Sequence, residues 1–245
     1  MELHAEFPKK LWKKVHNDLR LLKEVVTKES ADSFKRILND RRNFQIYSIG
    51  LHYQQDDWSY IVPTFSTEEG LREIAKVYSK HSPRTYRQEM ISLRWSPCDS
   101  PHHAGEDLES MMPQTEDCLA WLRIRLDDLN PYLNAKDWPE GVPFELYNSF
   151  VSEVYDHIHQ CVVDALQRVR QVPEIYHYLI KNECALVLHA DDFNQDELLD
   201  HVRIMNDQVI YERVKFEMNE ANRVESFIVN LDSASQNELP VAASL

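Results

Sequence analysis

The residues best suited to chemistry are histidines that stand close to acidic residues at two places in the sequence. Imidazole and carboxylate groups are common ligands of divalent metals in proteins. The side chains concerned are His102, His103, Glu106 and Asp107 at the first place, and His189, Asp191 and Asp192 at the second. No spacing in either group is diagnostic, so a solvated loop is the preferred interpretation and a divalent metal site is the alternative.

A further set of metal-type side chains lies on a predicted helix. His157 and Cys161 are four residues apart and share one helical face, whereas His159 points elsewhere. A zinc protease needs two histidines at i and i+4 with a neighbouring glutamate, and this arrangement lacks them. We therefore expect these three side chains to serve in packing and not in metal binding.

Several classes of enzyme are disfavoured by the residues that the chain lacks. It has no Gly-x-Ser-x-Gly elbow, and its four glycines each stand alone, whereas loops that bind phosphates or dinucleotides need clustered glycines. Its four cysteines include no Cys-x-x-Cys pair, which argues against a disulfide framework and a zinc knuckle. Enzymatic activity is thus uncertain and not favoured, and no cofactor is predicted.

The strands that would position these residues begin with an apolar hairpin. Segments Phe44–Tyr53 and Trp58–Phe65 are predicted strands on either side of a polar turn at residues 54–57. Alternation predicts a third strand at Tyr86–Trp95, and the apolar run Cys184–His189 is a later strand candidate. The sheet is therefore predicted to be mainly antiparallel.

Helical periodicity and capping residues predict helices around this sheet. The predicted helices span residues 8–26, 30–39, 67–81, 119–129, 143–171, 173–181, 197–205 and 208–222. The fold class is α+β, with a mainly antiparallel sheet flanked by helices and a helix-rich C-terminal half. Residues 1–232 are expected to form one domain with a long loop at 96–113, and residues 233–245 are expected to form a flexible tail.

Charge is the strongest compositional signal. The chain of 245 residues carries a net charge of −14, although residues 1–50 hold 11 Lys+Arg against 7 Asp+Glu. A field of this sign repels nucleic acids and anionic membranes and attracts basic partners. Because no apolar stretch is long enough for a membrane span and the N-terminus lacks a signal-peptide core, a cytoplasmic location is expected.

Three short motifs in a fixed order resemble a known family. They are STEEGL at Ser66–Leu71, LRWSP at Leu93–Pro97 and VLHADD at Val187–Asp192. Over roughly residues 10 to 210 the chain resembles an uncharacterised bacterial domain-of-unknown-function family, family 4303. That resemblance implies a companion of bacterial polymorphic toxin systems, near the SUKH-type immunity proteins, which act by occluding a toxin.

The first functional prediction is a non-enzymatic, immunity-like binding protein that neutralises a basic toxin or effector through an acidic surface. Its predicted binding residues are Asp56, Asp57, Arg94, Trp95, Asp191 and Asp192. For Arg94 and Trp95, burial with the arginine stacked or ion-paired is the preferred alternative to an exposed contact.

Two other functions remain open. One is a metal-dependent hydrolase or nuclease-like enzyme that uses His102, His103 and His189 together with Asp191 and Asp192. The other is a structural subunit of a bacterial defence or secretion assembly. Neither direct nucleic acid binding nor membrane association is expected.

Overall fold

A three-stranded mixed sheet lies at the centre of the protein. The computed structural model describes residues 2–54, 58–96, 99–100, 102, 108, 110–130, 144–190 and 194–237. The strands are β1 (Ile46–Tyr53), β2 (Ile61–Thr67) and β3 (Ala185–Ala190). In the order β2-β1-β3, the central strand β1 pairs antiparallel with β2 and parallel with β3.

Eight helices within the described residues accompany the sheet. They are α1 (Glu2–Asp40), α2 (Glu68–Tyr78), α3 (Tyr86–Ser92), α4 (Pro113–Leu129), α5 (Phe144–Arg170), α6 (Pro173–Lys181), α7 (Gln195–Met205) and α8 (Gln208–Asn237). The prediction of an α+β fold rich in helix is confirmed. No helix in the described part of the chain is both long and apolar enough to cross a membrane.

The prediction of a mainly antiparallel sheet is wrong, for two reasons. The segment Tyr86–Trp95 was expected to be a strand, but its first seven residues form helix α3. The Thr85 hydroxyl accepts from the Gln88 amide at 3.3 Å, and the Gln88 side chain accepts from the Thr85 amide at 2.8 Å. This capping box starts a helix where the alternation of side chains suggested a strand. The remaining late strand, β3, then joins β1 in parallel.

Helix α1 is longer than the sequence pattern suggested. It begins at Glu2 and not near Pro8, and it includes the stretch Ser30–Asn39 that was predicted as a separate helix. The buried stripe continues across the predicted break between the helices at 8–26 and 30–39. Its residues there, all buried at helical spacings, are Val26, Ser30, Phe34 and Ile37. One uninterrupted helix therefore packs along α4 and α5.

The sheet separates two hydrophobic cores. Leu186 and Leu188 of β3 face the larger core, which is built on α1, α4, α5 and α6. Ala185 and Val187 face the smaller core, which is built on α2, α3, α7 and α8. Since successive residues of a strand point to opposite faces, this short buried strand holds both layers together.

Several local predictions are confirmed, and one is corrected. Thr67 caps α2 by accepting the Gly70 amide at 3.0 Å, and the four leucines of the predicted stripe at 119–129 are buried in α4. Helix α8 continues to Asn237, so the first five residues of the predicted tail are helical. Residues 238–245 and most of the predicted loop at 96–113 lie outside the described residues.

Candidate functional site

The ends of the two parallel strands form the edge of the sheet at which the candidate site lies. Tyr53 pairs with Ala190, and His52 pairs with His189. Ligand sites in sheets with parallel strands occur preferentially beyond the carboxyl ends of those strands. The predicted residues Asp56, Asp57, Asp191 and Asp192 follow these two ends in the sequence, but they lie outside the described residues.

Tyr53 is held at this edge by an aromatic stack with Trp58. The two rings lie nearly parallel, at an interplanar angle of 4° and with centroids 4.1 Å apart. Trp58 is 3% exposed and has a φ of 52°, a left-handed conformation that is unusual for a bulky residue. Such strain persists only where the surroundings impose it, so the stack positions Tyr53 firmly.

The hydroxyl of Tyr53 leads to a pair of histidines on two different helices. It lies 2.9 Å from Nδ1 of His159 on α5, and Nε2 of His159 lies 3.0 Å from Nε2 of His201 on α7. His201 also hydrogen-bonds to the backbone of Glu197, one helical turn earlier. We refer to Tyr53, His159 and His201 as the Tyr–His–His chain.

The direction of the hydrogen bonds in the Tyr–His–His chain depends on which ring nitrogen of each histidine carries a proton. In a neutral pair, one of the two Nε2 atoms donates and the other accepts. If His159 donates from Nε2, its Nδ1 accepts from the hydroxyl of Tyr53. If His159 accepts at Nε2, its Nδ1–H donates to that hydroxyl.

Burial keeps both imidazoles neutral at ordinary pH. Burial and, to a smaller extent, the neighbouring His159 lower the pKa of His201 to about 4. Burial also lowers the pKa of His159, while the negative charges of Asp156 and Glu197 oppose that shift. The contact between the two Nε2 atoms requires that at least one of the two rings is neutral, because a protonated imidazole has no acceptor nitrogen.

Because of this histidine pair, we expect the free energy of unfolding to decrease at acidic pH. Between about pH 6.5 and about pH 4 an unfolded chain protonates His201 while the folded chain does not, so the free energy of unfolding falls as the pH is lowered through that range. Among the described residues, the titratable or charged groups that act on His201 are His159, Glu197 and Asp200. We expect His201→Gln to lose part of this pH dependence in urea unfolding carried out with a chelator at several pH values.

The matched control for this prediction is His157→Gln. His157 is exposed on α5, and its Nδ1 lies 2.7 Å from the carbonyl of Glu153 in its own helix. We expect this variant to keep the pH dependence of the wild type. If His201→Gln shows the same pH dependence as wild type, His201 is not the group responsible.

Exposed carboxylates surround the histidine pair. Asp156, Glu197 and Asp200 are exposed, and each acts electrostatically on His159 or His201. Asp200 pairs with Arg203 at 2.9 Å, and both side chains of that ion pair are at least 60% exposed. Arg203 offsets one of the three negative charges, so these four side chains together keep a net charge of −2 and the region stays acidic. We call Asp156, Glu197 and Asp200 the acidic rim.

Arg94 and Trp95 lie elsewhere, against the smaller core. Trp95 is 8% exposed, and its indole N–H donates to Glu217 at 3.1 Å. The Arg94 guanidinium donates to Glu68 at 2.7 Å and lies 4.7 Å from the centre of the Tyr47 ring. Both side chains are thus occupied within the fold, as the preferred interpretation of this pair supposed.

Of the predicted metal ligands, the two that the structure describes, His102 and His189, do not meet. His102 stacks on Phe65 and lies 3.3 Å from the hydroxyl of Thr67, beside the start of β1, whereas His189 is paired with His52 near the end of β1. Phe65 and Thr67 pair with Ile49 and Ile46, which are three and six positions before His52, so the two histidines are roughly 10–20 Å apart along the strand. His103 lies outside the described residues. Within the described residues, no group of three or more His, Cys, Asp or Glu side chains is placed to hold a metal.

Comparisons with protein-family models, with curated proteins and with solved structures find no match. The candidate site therefore depends on geometry alone.

Sequence reasoning missed the Tyr–His–His chain. His159 was assigned to packing, and His201 was not singled out. The two histidines lie 42 residues apart on separate helices, so no spacing motif joins them. The one local signal was the position of Tyr53 and His52 at the end of a predicted strand.

Proposed function

We propose that this chain is a non-enzymatic binding protein that captures a basic protein partner on the acidic rim. In this proposal it acts as an immunity-like protein that occludes a toxin or effector, as the resemblance to family 4303 implies. The observation that supports the proposal is the clustering of Asp156, Glu197 and Asp200 around a neutral histidine pair.

The local electrostatics favour a cationic partner. The charged residues that act on His159 are both acidic, and Arg203 is already paired with Asp200. Complementary charge accelerates encounter between proteins and rejects partners of like charge. A basic protein surface is therefore the ligand that best fits the acidic rim.

The sequence extends this proposal beyond the described residues. β1 and β3 end side by side at Tyr53 and Ala190, and the chain then continues into two pairs of aspartates, residues 56–57 and 191–192. On the basis of sequence alone, we include these four carboxylates in the proposed contact surface. Arg94 and Trp95 are not included, because their side chains are engaged within the fold.

The test is capture of a partner from the native lysate with three forms of the chain. The rim variant carries Asp156→Asn, Glu197→Gln and Asp200→Asn. Glu197→Gln retains a side-chain oxygen for the capping bond to the Asn194 amide. We expect wild type to retain a basic protein that is released as salt rises, and the rim variant to associate with the purified partner on the order of tenfold more slowly.

A control variant with the same change in net charge tests whether the position of the neutralised charges matters. It carries Asp32→Asn, Glu116→Gln and Asp117→Asn, three exposed acids on α1 and α4. We expect this variant to associate like wild type. The proposal fails if no basic protein is retained by wild type, or if the rim variant and the control variant bind the partner equally well.

A further inference from the structure

Two imidazole rings from separate helices converge on one point beside the acidic rim. The Nε2 atoms of His159 and His201 are 3.0 Å apart, and the ring centroids are 4.9 Å apart. Both side chains are partly exposed. We propose that His159 and His201 bind a divalent transition metal ion of the Zn²⁺ class through these two Nε2 atoms.

Each ring also has a polar neighbour of the kind that orients a metal-binding histidine. Metal-binding histidines almost always donate their second ring N–H to a carboxylate, a backbone carbonyl or water, which orients the ring. The backbone of Glu197 hydrogen-bonds to His201. The hydroxyl of Tyr53, 2.9 Å from Nδ1 of His159, can accept from Nδ1–H when Nε2 binds a metal.

The separation of the two Nε2 atoms is close to that of two ligands on one ion. At Zn–N distances of about 2.0–2.1 Å, tetrahedral ligands lie about 3.3 Å apart. The observed separation of 3.0 Å needs an opening of a few tenths of an ångström. Metal binding then replaces one N–H···N hydrogen bond with two coordinate bonds. Because Nε2 of His159 is then a ligand, its ring proton is on Nδ1 and donates to the hydroxyl of Tyr53.

The charge around the pair also favours a cation. Asp156, Glu197 and Asp200 place negative charge near the two rings, and imidazole nitrogen suits Zn²⁺, Cu²⁺ and Ni²⁺. Because the described residues include no third His, Cys, Asp or Glu side chain grouped with the pair, the proposed site has two described protein ligands. Water, or a group from a bound molecule, can take the open positions.

The test is a titration of the tag-free, metal-free full chain with Zn²⁺ in competition with a chromophoric chelator. We expect one tight ion per chain. His159→Ala and His201→Ala should each weaken binding by at least about a hundredfold, and Tyr53→Phe should weaken it by about tenfold, the usual range for a group that orients a ligand. Far-UV circular dichroism checks that each variant is folded.

His157→Ala is the matched control, because it removes an exposed histidine from the same helix, two residues from His159. We expect it to bind Zn²⁺ like wild type. The proposal is overturned if the double variant His159→Ala, His201→Ala binds Zn²⁺ as tightly as wild type, which would indicate an adventitious ion only. If the alanine variants unfold, electron paramagnetic resonance of Cu²⁺ on wild type decides: coupling to two imidazole nitrogens supports the proposal, and its absence overturns it.

Discussion

Gly50→Ala is expected to abolish stable folding. Gly50 lies at the centre of β1 and pairs with Val187 of the parallel strand β3. A Cβ atom at this position would lie 1.8 Å from the backbone oxygen of Val187 and 2.7 Å from its carbonyl carbon. Because backbone atoms in the middle of a sheet cannot move aside independently, the two strands would have to separate.

The expected cost is about 4 kcal/mol or more, at the upper end for single substitutions. Domains of this kind are stabilised by only about 5–15 kcal/mol, so we expect Gly50→Ala to be largely insoluble or to unfold at a much lower urea concentration. Gly70→Ala is the matched control. Gly70 lies in helix α2, where alanine has the better helix propensity. Equal urea midpoints for Gly50→Ala and wild type would contradict the close approach of β1 and β3.

Glu29→Ala should produce the second largest loss of stability, because Glu29 of α1 caps a different helix. Its carboxylate accepts from the amides of Gln114 and Thr115 at 3.0 and 2.8 Å and from the hydroxyl of Thr115 at 2.8 Å. The residue at the N-cap of α4, Met112, makes no capping bond with its side chain. Glu29 therefore accepts hydrogen bonds from donors at the positive end of α4, which no side chain at the N-cap of α4 satisfies.

We expect Glu29→Ala to lower the free energy of unfolding by about 3 kcal/mol, since it leaves several buried donors without an acceptor. Glu24→Ala is the control on the same helix. Glu24 is exposed and pairs with Arg20 at 3.6 Å, so its loss should cost less than about 0.5 kcal/mol. Urea unfolding of the two variants provides the comparison. If both variants lose a similar amount of free energy of unfolding, the hydrogen bonds from Glu29 to α4 do not stabilise the fold more than an exposed ion pair does.

Local features explain which parts of the fold were predictable. The hairpin, the helix capped by Thr67 and the leucine stripe of α4 all depend on residues within a few positions of one another. Alternation, helical periodicity and caps report such short-range preferences. The same locality explains the error at Tyr86–Trp95, where a capping box at Thr85 outweighed an alternating pattern.

The candidate site could be predicted only in part. Histidines and aspartates at strand ends drew attention, through His189, to the edge of the sheet beside which the Tyr–His–His chain lies, but His102 lies at the opposite end of β1. The Tyr–His–His chain escaped prediction because it joins a strand and two helices that meet only after folding. Exposed carboxylates on different helices likewise show their clustering only in three dimensions.

The sequence by itself determined the α+β class, most of the helices and the strongly acidic balance, because composition and near-neighbour preferences act along the chain. Only the tertiary structure decided that β3 lies parallel to β1, that Glu29 caps α4 and that His159 meets His201. These contacts join residues tens of positions apart. They depend on how two hydrophobic cores pack on one sheet, and no local pattern encodes that packing.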